Sequence, residues 1–137
     1  AIAKGCDSVE RAIHGACHIV GAEYTIETHG GYKPLIQSHS LSQLFKNNAG
    51  LVDSKIEIIR GNQITGSTDM GDLSRIMPCI QPTCGGYIGA LHSEGFHISD
   101  YYTACILPAK IMALTVCDLL SDGAHKAQKI KSDFVHV

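Results

Sequence analysis

The chain has 137 residues, 45% of them apolar, which is enough for one domain with a real core and argues against disorder. Eleven basic and 13 acidic residues leave a formal net charge of -2, which excludes a general electrostatic attraction to nucleic acid or to an anionic membrane. Small neutral or anionic ligands stay open as partners.

From Asp7 onward, Val9, Ala12, Ile13, Ala16, Cys17 and Val20 recur at three and four, with Glu10, Arg11, His14 and His18 on the other side. This spacing predicts an amphipathic helix, with Asp7 as N-cap, Glu10 completing a capping box and Gly21 ending it in a left-handed conformation. "AEYTIETHGG" then alternates, Tyr24 and Ile26 against Glu23, Thr25 and Glu27, and reads as a half-exposed strand closed by Gly30 and Gly31. A helix and one strand need a partner sheet, so the pair reads as the end of a small α+β layer.

Past Pro34, Ser40 is placed to cap a short helix carrying Leu41, Leu44 and Phe45, with Gly50 at its end. "KIEII" and "CIQ" read as strands on either side of "GNQITGSTDMGDLSRIMP", a loop crowded with hydroxyls, aspartates and glycines. Loops of this composition often carry function. Asp100 is a candidate cap for a long last helix, which Pro108 either starts or kinks, and the basic tail "GAHKAQKIKSDFVHV" reads as a short surface helix or a frayed end. The longest apolar stretch, "TACILPAKIMALTVCDLL", is near the lower limit for a membrane span but carries Lys110, Asp118 and Pro108, so a buried core helix is expected. The order of elements predicts an α/β fold.

Six cysteines (Cys6, Cys17, Cys79, Cys84, Cys105, Cys117) sit largely inside apolar patterns, where free cysteine packs as a small hydrophobe. No charged segment followed by an apolar stretch opens the chain, so no signal peptide is read. Reduced thiols and a cytoplasmic location are expected.

Cys79, Cys84, His92 and His97 form C-x4-C-x7-H-x4-H, four ligands of the kind zinc accepts tetrahedrally. The gap between the cysteine and histidine pairs is short for a zinc finger, and Cys79 follows Pro78 in an apolar run. Two packed thiols and unrelated histidines is the simpler reading. "GSTDMGD" admits two readings as well: a turn whose hydroxyls and aspartates satisfy the local backbone, or a site wall in which Gly66 admits a ligand and Ser67 and Thr68 donate to a carboxylate or amide oxygen. A triad of Ser67, Asp69 and His92 lacks a nucleophile elbow.

"GSTDMGDLSRIMPCIQPTCGGYIGALHSEGF" followed by "PAKIMALTVCDLL" resembles the C-terminal half of the aminoacylase and carboxypeptidase-like metallo-amidohydrolases, especially the branch with aminobenzoyl-glutamate and indoleacetyl-amino-acid hydrolases. Upstream, "RAIHGACHIVGAEYTIETHGGYKPLIQ" resembles the last helix and strand of that family's inserted lid and the return into its catalytic domain. The resemblance implies that residues 1–30 end a ferredoxin-like lid and dimerisation domain. Residues 31–137 would form the C-terminal part of a catalytic α/β sheet domain with helices on both faces.

It further implies a hydrolase cleaving an N-acyl amino acid or peptide-type amide, in which two divalent metals, zinc or manganese, activate a bridging water and a glutamate acts as general base. His92, in the "HS" step, falls on the last metal ligand, and Gly66, Ser67, Thr68 and Asp69 fall beside the substrate. The first histidines, the acidic ligands and the catalytic glutamate belong to a half not present here. One ligand cannot hold a catalytic zinc, which needs three from protein and a water. The chain is therefore expected to be a C-terminal fragment, inactive alone, in agreement with its opening "AIAKG" without methionine. Its expected partners are the missing N-terminal half, an amide or peptide substrate and a second copy, with neither nucleic acid nor membrane. The alternative is a non-catalytic binding or assembly module of the same fold. On the amidohydrolase reading Gly85, Gly86 and Gly89 free the loop to bring His92 inward, and His97 is structural.

Overall fold

A computed structural model describes residues 2–59 and 66–135. The chain forms two compact units, Ala1–Gly31 and Tyr32–Val137.

In the first unit, α1 (Ile2–Val20) is one continuous helix. It starts before Asp7, so Asp7 and Glu10 lie inside it rather than at a cap. Its other end follows the sequence: Gly21 takes φ +67°, and Ala22 N–H donates to the Cys17 carbonyl at 3.0 Å, the closing bond expected of a left-handed C-terminal residue. Residues 22–31 run on without regular structure. The expected strand at "AEYTIETHGG" is absent because its backbone meets no second strand within the unit, and a lone strand leaves its donors and acceptors unpaired. α1 buries no residue.

The second unit is held by three sets of contacts. α2 (His39–Val52) starts two residues earlier than Ser40 would set it, because Ser38 Oγ accepts from Leu41 N–H at 3.4 Å. It continues through Gly50 to Val52. α4 (Leu107–Ser132) packs against α2, burying Ala49 and Ile111 at 1% and 4% exposure. Asn48, buried in the same seam, donates both amide hydrogens, to Thr115 Oγ1 at 3.3 Å and to Asp118 Oδ2 at 2.9 Å. Thr115 Oγ1 in turn donates to the Ile111 carbonyl at 2.7 Å. Asp118 is held below the ordinary carboxylate range, first by Asn48 and then by Lys126, whose Nζ lies 3.3 Å away.

The second set replaces an expected sheet. Residues 33–38 run beside 71–81, yet only Ser38 N–H meets a backbone carbonyl there, that of Cys79 at 2.8 Å. Other backbone donors go to side chains: Lys33 N–H to Asp72 Oδ1 (2.9 Å), Ile36 N–H to Ser74 Oγ (3.1 Å), Gln81 N–H to Gln37 Oε1 (3.2 Å). Pro34 has no N–H to give, and Arg75 Nη2 donates to its carbonyl at 3.1 Å. Side chains have taken the place of a strand ladder.

This corrects the predicted α/β class. Among the described residues helix accounts for 54% and strand for 3%, with a single two-stranded antiparallel sheet and no α/β catalytic sheet. "KIEII" is not a strand over its described residues: Asp53 turns the chain, accepting from Lys55 N–H and Ile56 N–H at 2.9 and 3.2 Å. "CIQ" lies in the clamped segment. Residues 60–65, which include the start of the predicted functional loop at Gly61, lie outside the described residues.

The third set anchors the sheet, β1 (Tyr87–Ile88) with β2 (His97–Ile98), to the last helix. Asp100 caps that helix as expected: its Oδ1 accepts from Tyr102 and Thr103 N–H at 2.9 and 3.3 Å, and Thr103 Oγ1 donates to its Oδ2 at 2.6 Å. A π-helical stretch, Tyr102–Ile106, precedes α4. Pro108, near the start of α4, has no N–H for the Ala104 carbonyl four residues earlier, and that carbonyl accepts from Tyr87 Oη and Cys84 Sγ, both at 3.4 Å. Beyond Leu120 the helix is interrupted by left-handed Asp122, Gly123 and Ala124 before it resumes.

The expected core helix is buried along one face only: 17% of its most apolar window is buried. It is the one helix among the described residues long and apolar enough to cross a membrane, but its buried face is occupied by α2. Among the described residues many large apolar side chains stay exposed in both units, among them Ile2, Ile19 and Val20 in the first and Leu51, Tyr101 and Leu120 in the second.

Candidate functional site

His92 lies in the eight-residue connection between β1 and β2. The connection folds back through Ser93 N–H to the Ala90 carbonyl (3.2 Å) and Phe96 N–H to the Ser93 carbonyl (3.0 Å), and Ser93 Oγ donates to the same Ala90 carbonyl at 2.7 Å. Tyr87 and Phe96 stack at 5.2 Å across its base. Gly89 has φ +92°, and a Cβ there would run into the Gly95 carbonyl, so this glycine is required where the two limbs meet. Gly86, φ +88°, brings the chain against the helix start: a Cβ would stand 2.7 Å from both Ala104 N and the Asp100 carbonyl. The glycines thus fix the hairpin against the helix.

His92 itself has φ +62°, a left-handed conformation that costs a non-glycine residue on the order of 1 kcal/mol. Its imidazole is exposed. His97 Nδ1 pairs with the Gly95 carbonyl at 2.8 Å, a local backbone contact. The Tyr87 phenol is pushed above its ordinary value, first by partial burial and then by Cys84 beside it.

Gly66, Ser67, Thr68 and Asp69 lead into α3 (Met70–Leu73). Gly66, Ser67 and Asp69 are exposed and Thr68 is half-buried. Thr68 works as the local cap: its Oγ1 accepts from Met70 N–H at 3.4 Å and donates to Asp69 Oδ1 at 3.1 Å, and its carbonyl accepts from Gly71 N–H at 2.9 Å. Asp69 makes no side-chain cap bond. Ser67 and Asp69 thus keep polar groups directed at solvent, while Thr68 is spent on its own turn.

Residues 71–74 do what the sequence did not announce. Gly71 packs so closely on the Lys33 carbonyl that a Cβ could not fit. Ser74, 2% exposed, donates to the Gly71 carbonyl at 2.6 Å while accepting from Ile36 N–H. Cys79 is buried beside them, which pushes its thiol upward, and its Sγ lies 3.8 Å from the Met70 carbonyl. "GDLS" is therefore a packing device that fixes residues 66–69 in place. The glycine and serine three apart were the only signal for it.

Among the described residues no hydrogen bond or ion pair joins the 66–69 segment to the His92 hairpin, and no three His, Cys, Asp or Glu side chains are gathered to hold a metal ion. Cys79, Cys84, His92 and His97 are not brought together, and all six cysteines are free thiols. The residues present supply one candidate ligand, His92, and do not by themselves fit a catalytic metal. No catalytic step is assigned to them. No protein-family model, curated protein or solved structure matches this chain.

Proposed function

We propose that this chain is one part of a metal-dependent amidohydrolase acting on an N-acyl amino acid or peptide-type amide, to which it contributes a single ligand and part of a substrate wall. The observation carrying the reading is His92: an exposed imidazole presented on a tightly bonded hairpin in a left-handed conformation that is uncommon for a non-glycine residue. The "GSTD" segment, with Ser67 and Asp69 open to solvent, supplies polar groups suited to a substrate carboxylate or amide. The remaining ligands, for zinc or manganese, and the general base come from polypeptide outside this sequence, and the chain alone is inactive.

In the complete protein, His92→Ala lowers metal content and amide hydrolysis together; retention of both removes His92 from the site. A second reading, a non-catalytic assembly module, draws on the large exposed surface. It is favoured if the complete protein binds no divalent metal and hydrolyses no N-acyl amino acid while still forming a defined complex.

A further inference from the structure

In the first unit, His14 and His18 lie one turn apart on α1, so both imidazoles project from the same face. Their ring centroids are 6.5 Å apart and the rings nearly parallel, at 9°. Both are exposed. Tyr24, from the segment after the helix, meets the His14 ring edge-on at 6.0 Å and so fixes one member of the pair. His14 also lines an open hollow of about 520 Å³ together with Asp7, Glu10, Arg11 and Tyr24.

We propose that His14 and His18 together bind a divalent transition-metal ion. Imidazole suits zinc, copper and nickel, and two histidines four residues apart on a helix are a known chelating arrangement. With metal to nitrogen bonds of about 2.0–2.1 Å and nitrogen–metal–nitrogen angles of about 90–109°, two imidazoles on one ion hold their centroids about 4.5–5.2 Å apart, so the rings at 6.5 Å must close by about 1–2 Å, a movement the side-chain torsions supply without a backbone change. The rings must leave their parallel arrangement for one ion to lie in both planes. His18 makes that turn about its terminal torsion, which is soft, while Tyr24 keeps His14 in place. Among the described residues no third ligand is gathered at the pair, so water completes the coordination and the ion exchanges freely. Asp7 and Glu10 offset its charge from the side. Cys17, between the two histidines in sequence, is not a ligand. This site is independent of His92 and of the amidohydrolase reading.

The probe is Ni²⁺ alone, added to the full chain at a pH above the ordinary imidazole range and followed by NMR of the histidine ring protons. The resonances of His14 and His18 broaden together before those of the other six histidines. His14→Ala and His18→Ala each weaken this first binding event about tenfold or more, since losing even a supporting contact to a ligand costs about 10–100-fold. Both positions are exposed on a helix, so alanine leaves α1 folded, and circular dichroism verifies it. Cys17→Ser leaves the affinity unchanged. His18→Ala combined with Ala16→His keeps eight histidines but puts two on opposite sides of the helix, and binding is not restored. Unchanged affinity in either single histidine variant overturns the proposal. So does first broadening at any other histidine, or loss of binding on Cys17→Ser.

Discussion

The two units use apolar residues to different effect. α1 carries a clean amphipathic pattern over nineteen residues and buries none of them, with Ile19 and Val20 at 84% and 75% exposure. α2 is shorter and more polar, yet buries Asn48 and Ala49, because α4 lies against it. Periodicity in a sequence states which face of a helix is apolar; a neighbouring element decides whether that face is buried. The same holds for glycine. Gly71 sits against backbone, while a Cβ at Gly5 or Gly15 would meet nothing within 4 Å.

The sharpest test of that contrast is Gly71→Ala. The added methyl collides with the Lys33 carbonyl, which is held by its neighbours' bonds to Asp72, Ser74 and Arg75 and has nowhere to move. A loss of about 3 kcal/mol is expected, the upper end for overpacking. Urea unfolding followed by a probe in the second unit measures it, and a loss under about 1 kcal/mol shows that the clamp yields. Next is Asn48→Ala, which strips the α2–α4 seam of two bonds and leaves buried Thr115 Oγ1 without that donor. About 2 kcal/mol is expected for this buried polar group. The Asp118 carboxyl should also rise toward its ordinary range, visible by NMR titration, since Asn48 is the first cause of its depression.

Features set by neighbours in sequence were legible in the residues. Asp100 capping the last helix, Gly21 closing α1 and Pro108 near the start of α4 follow from local chemistry and are found where expected. Features that need a distant partner were not. Alternation at 23–29 and in "KIEII" marks segments able to enter a sheet, but a strand exists only if another strand supplies its hydrogen bonds. Here Asp72, Ser74 and Gln37 supply them to 33–38 and 79–81 instead. Ser38 displaced Ser40 as cap for a related reason: its own N–H is tied to Cys79, which fixes where the chain enters α2. At the candidate site, the sequence drew attention to His92 through its glycine neighbours. It did not show that His92 itself takes the left-handed conformation.

A smaller effect tests the anchoring of the His92 hairpin. Asp100 is held below the ordinary carboxylate range, first by the Thr103 hydroxyl and then by backbone donors. The unfolded chain therefore binds this proton more readily, and the stability tied to the ionised form is complete above about pH 5 and declines as the pH falls through the carboxylate range. Asp100→Asn keeps an acceptor at the cap but cannot titrate. Its melting temperature should fall less than that of the parent chain between about pH 5 and pH 3, and identical slopes would show that the cap's charge contributes nothing.

The smallest expected effect has the opposite sign and lies in the first unit. Gly15→Ala adds a methyl in the middle of α1 where a Cβ meets no atom within 4 Å, and the glycine does not have positive φ. Only the backbone term is left: glycine in a helix interior is less favourable than alanine by about 0.5–1 kcal/mol, chiefly because the unfolded glycine has more freedom to lose. The helix should gain by about that amount, read as slower amide hydrogen exchange across residues 9–20 with exchange in α2 unchanged. A loss instead of a gain would mean that the α1 face carrying Gly15 is covered in solution. It would then place a partner on the very helix that buries nothing of its own.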